Sequence, residues 1–523
     1  MEDYRTAAKL LPRHGYTATI DLKEAYLLVP ISEPDRKFLR FEFQHENGIN
    51  TTYQFTAMPY GLSVAPRTFT KLMKEVVTSL RSQGFTSVIY LDDILCIGDS
   101  YLDCLENVTE TLRLLKCLGF VINSEKSSLQ PNHSCRFLGF KFNSIDMSIS
   151  LPDDKRDHIA FLVKKFISLP TCSIRDFAQL IGTLVAACPA ARYGWLYTKF
   201  LERQKFLEFK KHRNYDAKIE LTGEILPDLK WWYENISLTR NFIDIFNYDM
   251  EIYTDASRTG WGAFCNQRRV NGGWTDSEKE FHINYLELLA IFLALKCLVA
   301  EKSNIAILLR VDNTTAISYI NRMGGIQFPH LNELARTIWQ WCEKRGLWLS
   351  ASYINSRDNK EADEESRRNP DIEWDLSLRA FEFITNNFGI PEIDLFASRI
   401  NAKCNIYVSW KQDPDAAAVD AFTLNWKQWF FYAFPPFPLI LKCIQKIKHD
   451  RASGILVFPF WPSQPWFPLL KTLLVSEIVY LDSSYALSNS CFRAHHKFFR
   501  QNTLAVAKLS GLRSLEEELQ SRP

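Results

Sequence analysis

Two apolar runs, Ser87-Val88-Ile89 and Ile94-Leu95-Cys96-Ile97, flank Tyr90-Leu91-Asp92-Asp93, a pattern that predicts a β-hairpin with two adjacent carboxylates at its tip. Neighbouring acids repel each other, and a divalent cation offsets that repulsion. An isolated Asp-Asp pair reads as a solvated turn, but this pair has company. Upstream, residues 17–21 form a strand-like run ending in Asp21, a third carboxylate. Between them, residues 58–69 form a Pro/Gly-punctuated loop leading into a helix with Phe69, Leu72, Met73 and Val76 at helical spacing.

The pattern repeats in a second region. Residues 251–255 predict a strand ending in Asp255, and 260–264 a return strand. Residues 284–299 predict a helix with Leu288, Phe292, Leu295 and Val299 on one face and Glu287 beside that stripe. A strand over 305–311 then delivers Asp312, and a polar loop leads to Asp363. Four acids on strand, helix, strand and helix start converge at one end of a mixed sheet. Singly, each has a plainer reading: Asp363 as an N-cap, Glu287 as a surface charge.

Elsewhere the periodicity is helical over 151–245, with 159–163 and 177–187 as apolar cores. The charged stretch 359–375 reads as a linker, and Phe, Trp and Pro crowd into 381–470. At 523 residues and 46% hydrophobic content, the chain suffices for three or four domains with real cores.

Sixty-two basic against 60 acidic residues leave a net charge of +2, so affinity for nucleic acid must come from local patches. Lys199, Arg203, Lys205, Lys210, Lys211 and Arg213 form one candidate, which reads equally as a solvated helix face. Twelve scattered cysteines without a Cys-x-x-Cys argue against zinc fingers and a disulfide framework, and point to an intracellular setting in cytoplasm or nucleus. No signal peptide or membrane-length apolar run is present, so no membrane partner is expected. Oligomeric state is not legible.

Taken in order, Asp21, residues 58–69, Asp92-Asp93, Leu118-Gly119-Phe120, Lys126 and Phe137-Leu138-Gly139-Phe140 resemble the palm of a reverse transcriptase, closest in wording to gypsy-like and DIRS-like retroelements. The resemblance implies that Asp21, Asp92 and Asp93 are metal ligands, and that Tyr26 is a steric gate against a ribose 2′-hydroxyl. It further implies that Tyr60-Gly61 lines the incoming base and template, that Lys126 protonates departing pyrophosphate, and that Phe137-Leu138-Gly139 is a primer grip. Taken alone, Tyr26 and Tyr60 read as half-buried aromatics and Lys126 as a solvated lysine. Asp255, Glu287, Asp312 and Asp363 resemble the ligand set of ribonuclease H, with Tyr353 where the family often has a His.

More weakly, Ile393-Asp394-Leu395-Phe396-Ala397, Asn401, Tyr407 and Phe434-Pro435-Pro436-Phe437 resemble phage-type adenine methyltransferases. Phe434 stands where that family needs a hydrogen-bond acceptor, and no glycine-rich loop for S-adenosylmethionine is seen. The module is therefore expected to be inactive, with S-adenosylmethionine not expected as a cofactor.

The fold class that follows is multidomain α+β and α/β. Expected are a reverse transcriptase palm with truncated fingers (1–150), a thumb and connection (151–247), a ribonuclease H fold (248–370), a linker (371–386) and a Rossmann-like module (387–523). The expected function is RNA-directed DNA polymerase with ribonuclease H activity, using two Mg²⁺ or Mn²⁺ per site. Its expected partners are RNA template, DNA primer, dNTPs and RNA/DNA hybrid. The rival readings are a non-catalytic nucleic-acid-binding remnant, which the shortened fingers favour, and a host-adopted interaction protein using the aromatic C-terminal module.

Overall fold

The strand-forming runs carrying the first three acids assemble into one antiparallel sheet. The computed structural model describes residues 2–221, 223–243, 247–368, 375–481, 486–488 and 503–512, and it divides into two compact units, Met1–Asn247 and Tyr248–Pro523.

In the first unit, the sheet runs in the order Thr86–Tyr90, Asp93–Gly98, Tyr16–Asp21, Ser128–Asn132. Alternation puts Ala18, Ile20, Ile94 and Cys96 on the covered face. The Ala65–Ser82 and Tyr101–Cys117 helices supply the opposing surface, through Phe69, Met73, Val76 and Leu80 from one and Cys104, Val108 and Leu115 from the other. Leu72, expected on that apolar stripe, is exposed instead. The second helix starts in a Ser100/Asp103 capping box.

The Arg40–Gln44 and Asn50–Gln54 strands pair only with each other. A further antiparallel sheet orders Arg240–Phe242, Ser148–Ser150, Phe140–Asn143 and Ser134–Phe137. The span expected to be helical contains the Asp153–Ser168, Ile174–Ala187, Lys199–His212 and Leu226–Asn235 helices. It also holds a short strand pair, Thr171–Ser173 with Lys218–Glu220. One candidate of the basic stripe is corrected here: Lys199 is only 8% exposed and pairs with Glu202 at 3.5 Å, so its ammonium does not face solvent with the others.

Among its described residues the second unit contains two sheets. The first is mixed, in the order Arg268–Gly273, Gly260–Cys265, Met250–Ala256, Ala306–Val311, Trp348–Tyr353; its first two pairings are antiparallel and its last two parallel. The Ile283–Leu298 helix is buried nearly all round, from Leu286 through Leu295, so the single-face stripe of the sequence understates its burial. The Lys360–Arg367 helix lies directly on the Gly260–Cys265 strand. A Cβ at Gly262 would fall 2.4 Å from both the Ala362 carbonyl oxygen and the Ser366 nitrogen, so only glycine permits that approach.

The second sheet has seven strands, in the order Ala418–Val419, Ile406–Ser409, Ile393–Asp394, Phe430–Ala433, Ser453–Pro459, Leu504–Ser510, Val479–Leu481. The first five are parallel, and Leu504–Ser510 is antiparallel to both its neighbours. Strand order reverses between Ile393–Asp394 and Phe430–Ala433, and both faces are covered, as parallel sheets require. The Ile440–Asp450 helix packs one face through Cys443, Ile444 and Ile447; the Leu378–Phe388 helix packs the other through Ala380, Ile384 and Phe388.

That last helix corrects the linker expected at 371–386. Ser377 caps it by accepting the Ala380 amide, and apolar residues four apart bury its inner side. Residues 369–374 lie outside the described set, and 360–367 of the charged stretch are helical.

The two sheets of this unit are joined by Arg399, in the loop following Ile393–Asp394. Its guanidinium donates to both Glu278 carboxylate oxygens, at 2.8 and 2.9 Å, and to the Gly273 carbonyl at 3.1 Å. Both side chains are largely buried, so the bidentate fork compensates charges with little access to water.

Candidate active sites

In the first unit, antiparallel register brings Asp21 opposite Asp93. Asp92 sits beside them because Tyr90 and Asp93 close a two-residue turn in which Leu91 takes φ +56°. The turn is tied down where the Leu22 amide donates to the Asp92 carbonyl at 3.0 Å. Burial, then the charges of Asp92 and Asp21, push the Asp93 carboxyl up to about 6, against the opposing pull of Lys126. Lys126 lies in the turn before Ser128–Asn132; the neighbouring Ser127 hydroxyl accepts the Asp21 amide, and the Asn123 amide donates to the Asp21 carbonyl. The sequence-expected lysine is thus within electrostatic reach of the acids.

Tyr26 and Tyr60 meet over the same site, with ring centroids 5.4 Å apart, and Tyr26 also sets its edge against Phe69 at 5.2 Å. Burial, and secondly Asp92, raise the hydroxyl pKa of both tyrosines. Gly61 turns at φ +85° with open space about it. Phe137-Leu138-Gly139 occupies the tip of the Ser134–Phe137/Phe140–Asn143 hairpin, with Leu138 and Gly139 both at positive φ. Phe137 itself is buried, so within this stretch only the turn is available to a nucleic acid.

In the second unit, Asp255 is the penultimate residue of the central strand, Asp312 directly follows the adjoining parallel strand, and Glu287 comes from the helix packed on the central strand. One carboxylate oxygen from each lies within 4.8 Å of the other two, the one such group among the described residues. Glu287 is 4% exposed, and its Oε2 has no hydrogen-bond partner. Burial, then Asp255 and Asp312, push its carboxyl up to about 9. Asp255 is likewise raised, chiefly by burial. Three converging carboxylates with an orphaned buried oxygen fit a divalent cation, because its charge offsets both the desolvation and the mutual repulsion.

Asp363 differs from its three companions. It lies near enough to Asp255 to raise that group's pKa, yet its Oδ1 is held by Arg367 at 2.6 and 2.9 Å. Its charge is therefore shared with a cation of its own helix. Sequence reasoning also missed the groups that orient the acids: Ser366 Oγ donates to Asp255 at 2.5 Å, and Ser356 Oγ donates to Asp312 at 2.6 Å. Neither serine carries a sequence signal beyond nearness to Asp363. Tyr353, at the position where a His was looked for, is 57% exposed at the end of its strand.

In the seven-stranded sheet, Phe434 is buried in the core and offers no acceptor, and Phe437 packs its ring against Trp461 at 5.5 Å. The buried Asp394 carboxylate accepts the Phe396 and Lys403 amides.

Residues 1–142 match the family described as "Reverse transcriptase (RNA-dependent DNA polymerase)". The chain is 32% identical over 263 residues to the retrovirus-related Pol polyprotein from transposon 412 of Drosophila melanogaster, covering 49% of this chain and 19% of that one. It is 24% identical over 315 residues to the enzymatic polyprotein of Figwort mosaic virus (strain DxS), covering 58% and 44%, and 24% identical over 380 residues to that of Cauliflower mosaic virus (strain D/H), covering 67% and 50%. The chain thus spans half or less of the length of these relatives.

Among solved structures it is similar to the foamy viral protease-reverse transcriptase in complex with double-stranded DNA, at TM-score 0.41 and 16% identity over 68% of this chain and 71% of that one. The same enzyme in complex with RNA/DNA hybrid gives TM-score 0.40 and 16% identity over 66% and 45%. Residues 1–142 form a reverse transcriptase domain, and the chain is a homologue of retrotransposon and retroviral-type polyproteins.

Proposed function

We propose that the chain copies an RNA template into DNA and degrades the RNA strand of the resulting hybrid, with one acidic centre in each unit. The observation that carries the two-centre reading is the Asp255, Glu287 and Asp312 cluster, in which a buried carboxylate oxygen lacks any partner, beside the independent Asp21/Asp93 register of the first unit.

In the polymerase centre Asp21, Asp92 and Asp93 would hold two Mg²⁺ or Mn²⁺. Bound there, such ions lower the pKa of the primer 3′-hydroxyl and neutralise charge on the leaving pyrophosphate. Lys126, whose charge reaches Asp93, would donate a proton as pyrophosphate departs. Tyr26, tilted against Tyr60 and edge-on to Phe69, would present its ring to the sugar of an incoming dNTP. Tyr60 and Gly61 leave a surface for base and template, and the 138–139 turn is the part of the primer grip open to the primer.

In the second centre Asp255, Glu287 and Asp312 would hold the ions that activate water for hydrolysis, with Asp363 completing the set once it leaves Arg367. Ser366 and Ser356 orient the first and third acids. Tyr353 has no imidazole to carry a proton near neutral pH, which makes turnover slower than a His there would allow.

The full chain, supplied with Mg²⁺ or Mn²⁺, is tested on a DNA primer annealed to RNA and on a labelled RNA/DNA hybrid. Asp312→Asn should abolish hybrid cutting while leaving hybrid binding and primer extension near the parent level, because binding rests on phosphate contacts. A folded parent chain that binds hybrid and neither extends nor cuts under either metal would overturn the enzymatic reading in favour of a non-catalytic binding protein.

The seven-stranded module reads as a structural Rossmann-like domain without methyltransferase activity. Its central loop is committed to Glu278 through Arg399, and its Asp394 acceptors are already taken by backbone amides.

A further inference from the structure

The helix that carries Asp363 also borders a basic cavity separate from the acidic cluster. A cavity of about 450 Å³ opens where the outer Arg268–Gly273 strand, the end of the Lys360–Arg367 helix and the 410–412 loop of the seven-stranded module come together. Its wall holds Arg268, Arg269, Arg368, Lys411, Trp410 and Glu365.

Charge and shape both narrow the occupant. Glu365 is only 4% exposed, and it gathers the cations: Arg269 at 3.7 Å, Arg368 at 3.6 Å, and Lys411 indirectly through Asn271, which donates to Glu365 and accepts from Lys411 at 2.8 Å. Glu364 takes up Arg269 as well, at 3.2 Å, and two carboxylates do not neutralise four cations. Arg268 has no ion pair among the described residues, and Arg368 remains largely exposed. Beside them Trp410 is 54% exposed, with the Lys411 ammonium 5.5 Å from its ring.

A large aromatic ring left in water next to uncompensated cations is an arrangement suited to a flat base attached to a phosphate. An acidic peptide would use the cations but gains little from the indole face. The volume is that of a small-ligand site, so it admits one nucleotide unit of a strand passing over it.

We infer that this cavity binds single-stranded nucleic acid, with Arg268, Arg368 and Lys411 on the phosphates and Trp410 stacked on a base. The Lys360–Arg367 helix contributes to both places, through Asp363 and Ser366 at the acidic cluster and Glu365 at the cavity. A strand held here is therefore kept beside the hydrolytic centre. The inference concerns binding alone, and its test is read without metal and without cleavage, so it can fail while the hydrolytic reading stands.

The full chain is mixed with a short single-stranded oligodeoxynucleotide containing 5-iododeoxyuridine, in EDTA, irradiated, and the cross-linked peptides are mapped by mass spectrometry. The expected adduct lies on the peptide bearing Trp410. Its yield should fall on the order of tenfold in Arg268→Glu, and fall as salt is raised. Trp410→Phe should keep most of the affinity of the site and Trp410→Ala lose it, while thermal melting of each variant matches the parent. Adducts confined to other peptides, a yield indifferent to Arg268→Glu in a folded variant, or displacement by polyglutamate as effective as by unlabelled oligonucleotide would each overturn the inference.

Discussion

Ser366 donates its hydroxyl to Asp255 at 2.5 Å, tying the last helix of the mixed sheet to the acid at the end of its central strand. The bond favours the charged form of a carboxyl that burial otherwise pushes towards protonation. Ser366→Ala should therefore lower hybrid cutting on the order of tenfold and raise the Mn²⁺ concentration needed for half-maximal rate. A Mn²⁺ titration of cleavage checks this, and an unchanged midpoint would leave the hydroxyl a packing detail.

The Asp21/Asp93 register with Asp92 at the turn makes three carboxylates interdependent. Asp92→Asn should reduce single-turnover primer extension by roughly a thousandfold or more, because the remaining two acids no longer position both ions. Extension near the parent rate would remove Asp92 from the ligand set.

Tyr26 is held between Tyr60 and Phe69, which gives its ring little freedom to yield to a bulkier sugar. In Tyr26→Ala, discrimination against ribonucleotides, measured as a ratio of kcat/KM values, should fall by about tenfold or more. A variant that rejects ribonucleotides as well as its parent would make Tyr26 a core aromatic.

Burial pushes the Asp394 carboxyl from 3.8 to about 6, despite the Lys403 and Phe396 amides that stabilise its charged form. The folded module thus holds this proton more tightly than the unfolded chain does. The stabilisation is fully present below 3.8 and is lost as pH rises through about 6, a change of about 3 kcal/mol. Denaturation curves across that window should show the decline in the parent and a flatter profile in Asp394→Asn. Equal slopes in the two would show that the carboxyl does not titrate there.

The local features of both acidic sites were legible in the chain itself. A two-residue turn between apolar runs is a short-range event, so Asp92-Asp93 at a hairpin tip follows from residues 87–97 alone. The same holds for acids at strand ends, such as Asp21, Asp255 and Asp312, where alternation stops at a polar residue. The Leu378–Phe388 helix was also within reach, since Ser377 and the four-residue spacing of Ala380, Ile384 and Phe388 announce it, but the charged stretch before it drew the reading towards a linker.

Only the tertiary structure decided what depends on distant partners. Burial of Glu287 to 4% exposure, and the upward shift that follows, arise where its helix packs on the Met250–Ala256 and Gly260–Cys265 strands that precede it and on the Pro329–Glu343 helix that follows it. Lys199 sinking to 8% exposure and Phe137 entering the core are set by neighbours that periodicity does not name, whereas Asp363 with Arg367 and Lys199 with Glu202 are four- and three-residue spacings along one helix that the sequence itself offers. Arg399 finds Glu278 across 121 residues, and Glu365 collects cations from three separate segments. Sequence spacing prescribes which face a side chain takes on its own element; desolvation and charge pairing, which determine what that side chain can do, exist only once the elements meet.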